Sequence, residues 1–384
     1  MLYLFLYSLK AKSDHLSWLN VLRYIPFRVI LSILTAMLMS FTLGPWFINR
    51  LRSRQIGQVV RDDGPQSHLS KRGTPTMGGS LILFTLVVPT LLWADPHNSY
   101  VWLTLLVTVC YGGIGFLDDY LKLKKLNSAG LAGRYKLIGQ FAVAALVVGY
   151  LFYGKGPFLP TEWLDHRQSL ALPFAAFTKH HFVLPVALYL VFGMFVVVGT
   201  SNAVNLTDGL DGLAIGPVII SAGTYLIFAY VTGATFGGFD ISRYLDLPPL
   251  GPSTGELAVL CGAMIGSGVG FLWYNTYPAS VFMGDVGALA LGGTLGMLAL
   301  VTKNELLSVL LGGIFFVEIM SVIIQRTWFA VTKRRYGTGR RIFLMAPIHH
   351  HFEKAGWAEP KIIVRFWIIS IMLALVSLSS LKLR

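Results

Sequence analysis

The chain is poor in acid and in cysteine: its 384 residues include 18 Asp and Glu and two Cys. Two thiols make no disulfide framework, and Cys110 and Cys261 both fall inside apolar runs, where a thiol acts as a small buried hydrophobe. The scarcity of acid says more. An ionised carboxylate near hydrocarbon costs about 2.5–3.5 kcal/mol on insertion scales. Acids kept at the ends of apolar runs are therefore candidates for a function.

Charge of either sign is sparse, at 13% of residues against 54% apolar. The apolar runs are long enough to cross a bilayer about 30 Å thick as helices of about 20 residues. Ten spans are expected, at 26–48, 77–94, 100–117, 137–153, 182–200, 213–232, 257–274, 286–302, 306–330 and 362–381. The expected fold is an all-α polytopic membrane protein of ten transmembrane helices. Connections are short except the first and last cytoplasmic ones and the stretches 154–181 and 233–256, which leaves no room for a separate soluble domain. Residues 1–384 are expected to form a single integral-membrane domain without internal repeats.

An even number of spans puts both termini on one side. The five connections on the other side carry 18 of the 31 Lys and Arg, all within 49–76, 118–136 and 331–361. By the positive-inside rule those connections are cytoplasmic and both termini periplasmic. The net charge of +13 is spread through juxtamembrane loops, where anionic lipid attracts each cation by about 1 kcal/mol. Membrane lipid is the expected partner, and nucleic acid is not. The opening MLYLFLYSL lacks a basic leader and a nearby small-residue cleavage site, and reads as an interfacial segment.

The acids cluster on the cytoplasmic side. Asp118 and Asp119 end the third span and precede Lys122, Lys124 and Lys125. Neighbouring helical residues point roughly 100° apart, so the two carboxylates are expected to serve different purposes; a helix end finished with polar residues is the competing explanation. The segment NAVNLTDGLDG joins the fifth and sixth spans. Asp208 and Asp211 share a face if it is helical, Asn202 and Asn205 suit a sugar or nucleobase, and turn formation is the competing explanation. Asp285, flanked by Gly284 and Gly287, precedes the eighth span, where it serves either as a helix cap or as a metal ligand. Several carboxylate oxygens on one side suit Mg²⁺.

His349, His350 and His351 sit in the last cytoplasmic loop. Three consecutive imidazoles lack the spacing of a helical zinc site, so they read as donors to phosphate or sugar hydroxyls, or else as a titrating interfacial tract. Lys71, Arg72, Thr74 and Thr76 in the first loop can receive a phosphate, although orientation alone also predicts a basic loop. Glu318 and Gln325 are polar at membrane depth in the ninth span, and are expected to hydrogen-bond within the bundle, with a catalytic role as the alternative.

The segments GFLDDYLK, NAVNLTDGLDGLA, NTYPASVFMGDVGALALGG, MAPIHHHFEKAGW and SKRGTPTMGG together resemble the bacterial phospho-MurNAc-pentapeptide translocase (MraY) family, within the polyprenyl-phosphate N-acetylhexosamine-1-phosphate transferases. The similarity runs through nearly the whole chain, in order. It implies transfer of phospho-MurNAc-pentapeptide from UDP-MurNAc-pentapeptide to undecaprenyl phosphate, giving lipid I and UMP, with Mg²⁺, in a homodimer of the cytoplasmic (inner) membrane. By motif, it implies that Asp118 and Asp119 are catalytic, Asp285 is the principal magnesium ligand, and Asn205, Asp208, Asp211 and the three histidines are essential. Lys71, Thr76, Asn275, Phe282 and Gln325 would line the nucleotide surface, and Lys122, Lys125 and Lys136 are reasonable partners for phosphate oxygens. The nearest rival in the superfamily is a GlcNAc-1-phosphate transferase, against which APIHHHFEKAGW argues. A rival from another class is a secondary transporter, whose acids would lie at the bilayer midplane.

Overall fold

The computed structural model describes residues 2–9, 14–54, 73–125, 130–154, 161–236 and 238–383. The apolar runs form helices α1 (Ile25–Ser53), α2 (Gly79–Trp93), α3 (Ser99–Lys125), α4 (Gly133–Tyr153), α5 (Val186–Thr207), α6 (Ile215–Gly233), α7 (Leu257–Asn275), α8 (Gly284–Val301), α9 (Gly313–Tyr336) and α10 (Glu359–Ser379). Among the described residues nine of these are long and apolar enough to cross a membrane, and α2 is a shorter apolar helix of 15 residues. The chain is an all-α polytopic membrane protein.

Several helices run past their expected ends, the first to Ser53, the third to Lys125 and the ninth to Tyr336, and two starts shift for local reasons. The fifth was expected to begin at 182, but His181–Val183 (β2) pairs antiparallel with Ser169–Ala171 (β1), so the helix starts at Val186 and runs to Thr207. The ninth was expected from 306; a short helix, Leu307–Leu311, comes first, and α9 begins after Gly312. A second small ladder pairs Thr235–Phe236 (β3) with Phe239–Asp240 (β4). These strands of two or three residues were not legible as apolar periodicity. The opening forms a short helix, Leu2–Leu9, none of it fully buried.

Helix α8 is the axis of the molecule. Every residue from Val286 to Val301 is buried, as expected of a helix apolar all round and surrounded by others. It packs against α3 and α5, while α7 lies between α1 and α6. Gly115 of α3 approaches α8 closely: a Cβ there would lie 2.2 Å from the Asp285 carbonyl oxygen. That approach brings the C-terminal turn of α3, with its two aspartates, against the first turn of α8. An 18-residue helix is about 27 Å long, so the polar residues at the two ends of α8 form separate clusters.

Candidate active site

Two helix ends supply the carboxylates. Asp118 and Asp119 lie in the last turns of α3 and Asp285 in the first turn of α8, and one oxygen from each falls within 4.8 Å of the others. Neighbouring helical side chains were expected to diverge, yet the Lys122 ammonium bridges these two and Asp285. Its Nζ lies 2.5 Å from Asp118 Oδ2, 3.4 Å from Asp119 Oδ1 and 3.2 Å from Asp285 Oδ2. Lys136, one turn into α4, adds a second cation, 2.5 Å from Asp285 Oδ2 and 3.7 Å from Asp118 Oδ2. Three carboxylates against two ammonium groups leave the cluster short of one positive charge.

Neutral donors hold the remaining oxygens. Asn205, near the end of α5, donates Nδ2 to Asp285 Oδ1 at 2.8 Å. The Leu131 N–H donates to Asp118 Oδ1 at 2.8 Å. The preceding residue must be glycine: Gly130 has φ +45, and a Cβ there would lie 2.7 Å from Asp118 Oδ1. The Val286 N–H reaches Asp119 Oδ2 at 3.4 Å. A Cβ placed on Gly284 would meet Asp119 Oδ2 and Thr76 Oγ1, which sets Thr76 at the rim of the cluster.

Asp208 follows the last turn of α5. The protein packed around it, together with the charges of Asp285, Asp119 and Asp211, pushes its carboxyl up to about 8, with the Gly284 N–H partly opposing. At neutral pH this group keeps its proton against its charged neighbours, and a cation in the cluster would draw it down again.

Other expected site residues are placed differently. Asp211 is buried, and its Oδ2 accepts from the Ala279 N–H at 3.0 Å. Asn275 accepts from Gly212 N–H at 3.0 Å and donates to the Val281 carbonyl at 2.9 Å. Both hold the turn after α5 against the 276–283 loop. Gln325 accepts from the Ile342 and Phe343 N–H groups and donates to the Phe343 carbonyl, all at 3.0 Å, pinning the last loop to α9. Phe282 joins the end of the first loop through its backbone, to Pro75 and Gly78. Lys125 is exposed at the end of α3, and Lys71 lies outside the described residues.

The three histidines occupy the short Ile348–Lys354 helix but face different partners. His349 Nδ1 lies 3.1 Å from Glu318 Oε2. His350 Nδ1 lies 2.6 Å from Glu353 Oε2. His351 Nδ1 accepts from the Leu344 N–H at 3.1 Å. One residue escaped the sequence reading: Glu359, at the start of α10, whose Oε1 accepts from the Asp211 N–H at 2.9 Å. An acid opening an apolar run was the signal that could have found it.

Oxygen donors drawn from three carboxylates, with a bridging ammonium already among them, fit a hard divalent cation such as Mg²⁺. The cysteines are far in sequence from the histidines and both lie within helices.

A charged cluster at one end of a bundle of membrane-length helices is the placing expected for a transferase that works at a membrane surface. Residues 101–303, more than half of the chain, match the family model described as Glycosyl transferase family 4. The chain is also 62% identical over 384 residues to the phospho-N-acetylmuramoyl-pentapeptide-transferase of Sorangium cellulosum (strain So ce56), with both chains covered in full. Its identity to the proteins of that name from Geobacter sp. (strain M21) and Syntrophus aciditrophicus (strain SB) is 55% over 384 residues and 53% over 386, again with both chains covered in full. The chain belongs to the phospho-N-acetylmuramoyl-pentapeptide-transferase family.

Proposed function

We propose that this enzyme transfers phospho-MurNAc-pentapeptide from UDP-MurNAc-pentapeptide to undecaprenyl phosphate, forming lipid I and UMP. It works as a homodimer in the bacterial cytoplasmic membrane, with the carboxylate cluster facing the cytoplasm. The observation that carries the reading is the meeting of Asp118, Asp119 and Asp285 with Lys122 and Lys136 at the ends of α3, α4 and α8. Both substrates are anionic phosphates, one soluble and one anchored in lipid, so they can meet only at a one-sided site of this kind. A transporter would place its acids midway along the helices.

The residues divide the work. Asp285 and Asp119, with Asp118 beside them, would hold Mg²⁺, which when bound neutralises the pyrophosphate and eases departure of UMP. Lys122 and Lys136, released from the carboxylates, bind phosphate oxygens. Asn205 keeps Asp285 aimed at the cluster. The lipid phosphate, with a second pKa near 6, is largely dianionic at neutral pH and is itself a competent nucleophile. Direct attack therefore suffices, with Asp118 taking any remaining proton and no covalent enzyme intermediate.

The donor is tested by following labelled sugar into an organic-extractable product made by purified enzyme with undecaprenyl phosphate and Mg²⁺. UDP-MurNAc-pentapeptide should label the lipid, and UDP-GlcNAc should not. Preferential use of UDP-GlcNAc would move the chain to the rival reading within the superfamily.

A further inference from the structure

Glu318 lies within α9 and is fully buried, with Oε1 lacking any hydrogen-bond partner. Its Oε2 faces His349 Nδ1 at 3.1 Å, and the His349 side chain is 1% exposed. A buried carboxylate with one partner is an expensive arrangement, so it needs a reason. The other ring nitrogen supplies one: His349 Nε2 is also buried and without a partner. It is aimed at the backbone of Gly209, where an added Cβ would lie 2.2 Å from it. Gly209 follows Asp208, whose carboxyl is influenced by Asp285 and Asp119. The free nitrogen therefore faces the turn that borders the carboxylate cluster, whereas His350 and His351 turn to Glu353 and Leu344.

We propose that Glu318 is the positioning residue for His349. By accepting from Nδ1–H it fixes the tautomer and the ring angle, so that Nε2 faces the backbone of Gly209, next in sequence to Asp208, as a bare acceptor. Held in this way, the ring packs on the Gly209 backbone and fixes the turn that carries Asp208. This rests on the proposed reaction, and it adds a residue from the interior of α9 that does not touch substrate.

The test begins with wild-type turnover of UDP-MurNAc-pentapeptide; absence of turnover counts against the proposed reaction and leaves the tautomer question below intact. Glu318→Leu should lower kcat by about 10- to 100-fold, the range for partners that orient a working histidine. In a His349→Gln background the same change should add less than about twofold, because Glu318 acts through His349. A kcat within about twofold of wild type, or losses that multiply in the double variant, would overturn the proposal. If Glu318→Leu fails to fold, Glu318→Gln takes its place, and ¹⁵N-histidine NMR of the wild-type enzyme, assigned against His349→Gln, decides independently. A proton on Nδ1 with an unprotonated Nε2 is expected; a proton on Nε2 alone would overturn it.

Discussion

Lys136 Nζ lies 2.5 Å from Asp285 Oδ2, joining the first turn of α4 to the first turn of α8. With Asn205 on its other oxygen, Asp285 is held from both sides. Asp285→Asn should keep the fold, since the amide can still bond to its neighbours, yet lose activity by on the order of 10² or more, as when a group that stabilises developing charge is removed. Near-wild-type turnover at ordinary Mg²⁺ would show that the charge is not needed.

Gly209 offers a way to disturb His349 without touching an ionisable group. A Cβ there would crowd Nε2 at 2.2 Å and Cε1 at 2.8 Å, and overpacking of this kind typically costs about 1–3 kcal/mol. Gly209→Ala should reduce turnover by about tenfold or more while leaving the Mg²⁺ concentration for half-maximal activity unchanged. A shifted Mg²⁺ dependence would mean that the disturbance reaches the carboxylates.

At the other end of α8, Lys303 is buried, donating to the Tyr189 hydroxyl at 2.7 Å and the Arg167 carbonyl at 2.9 Å, with Glu305 3.9 Å away. Burial holds its ammonium down to about 8, with Glu305 partly opposing. Below that pH the buried charge weighs against the fold. Between about 8 and the ordinary lysine value of 10.5 the unfolded chain binds the proton and the folded one does not, so this group makes stability rise with pH across that window. Lys303→Met should abolish the rise and leave Glu305 unpaired, a loss of about 3–5 kcal/mol, without altering turnover by the protein that remains folded. Thermal melts at pH 7 and 10 read both effects.

The histidines should bind no zinc. They are consecutive, and each ring faces a different partner, so they cannot converge on a tetrahedral site. Elemental analysis of purified enzyme is expected to find no stoichiometric zinc, and zinc that is lost on His350→Ala would contradict this.

Much of the site was legible because acid is costly near a bilayer. Asp118, Asp119, Asp208 and Asp285 stand out in a chain with 18 acidic residues, and the apolar runs located every long helix, with some ends displaced by seven or eight residues. What sequence could not show was convergence. Nothing in the α3 segment announces that Lys122 reaches all three carboxylates, or that Gly115 lets α3 close on α8. Asp211, Asn275 and Gln325 read as groups for a ligand, yet each bonds to loop backbone, because a loop beside a polar site must itself be tied down. The pairing of Glu318 with His349 depends on a contact between residues 31 apart in sequence, which no local pattern encodes.

The central claim is that donor and lipid phosphate react directly at the Asp118, Asp119 and Asp285 cluster. It is tested most directly by exchange of labelled UMP into UDP-MurNAc-pentapeptide, using enzyme rigorously stripped of lipid carrier. Without undecaprenyl phosphate no label should enter the donor, because UMP can be released and recaptured only through the lipid product; adding the lipid should start the exchange. Robust exchange in its absence would require a covalent enzyme intermediate and would contradict direct attack.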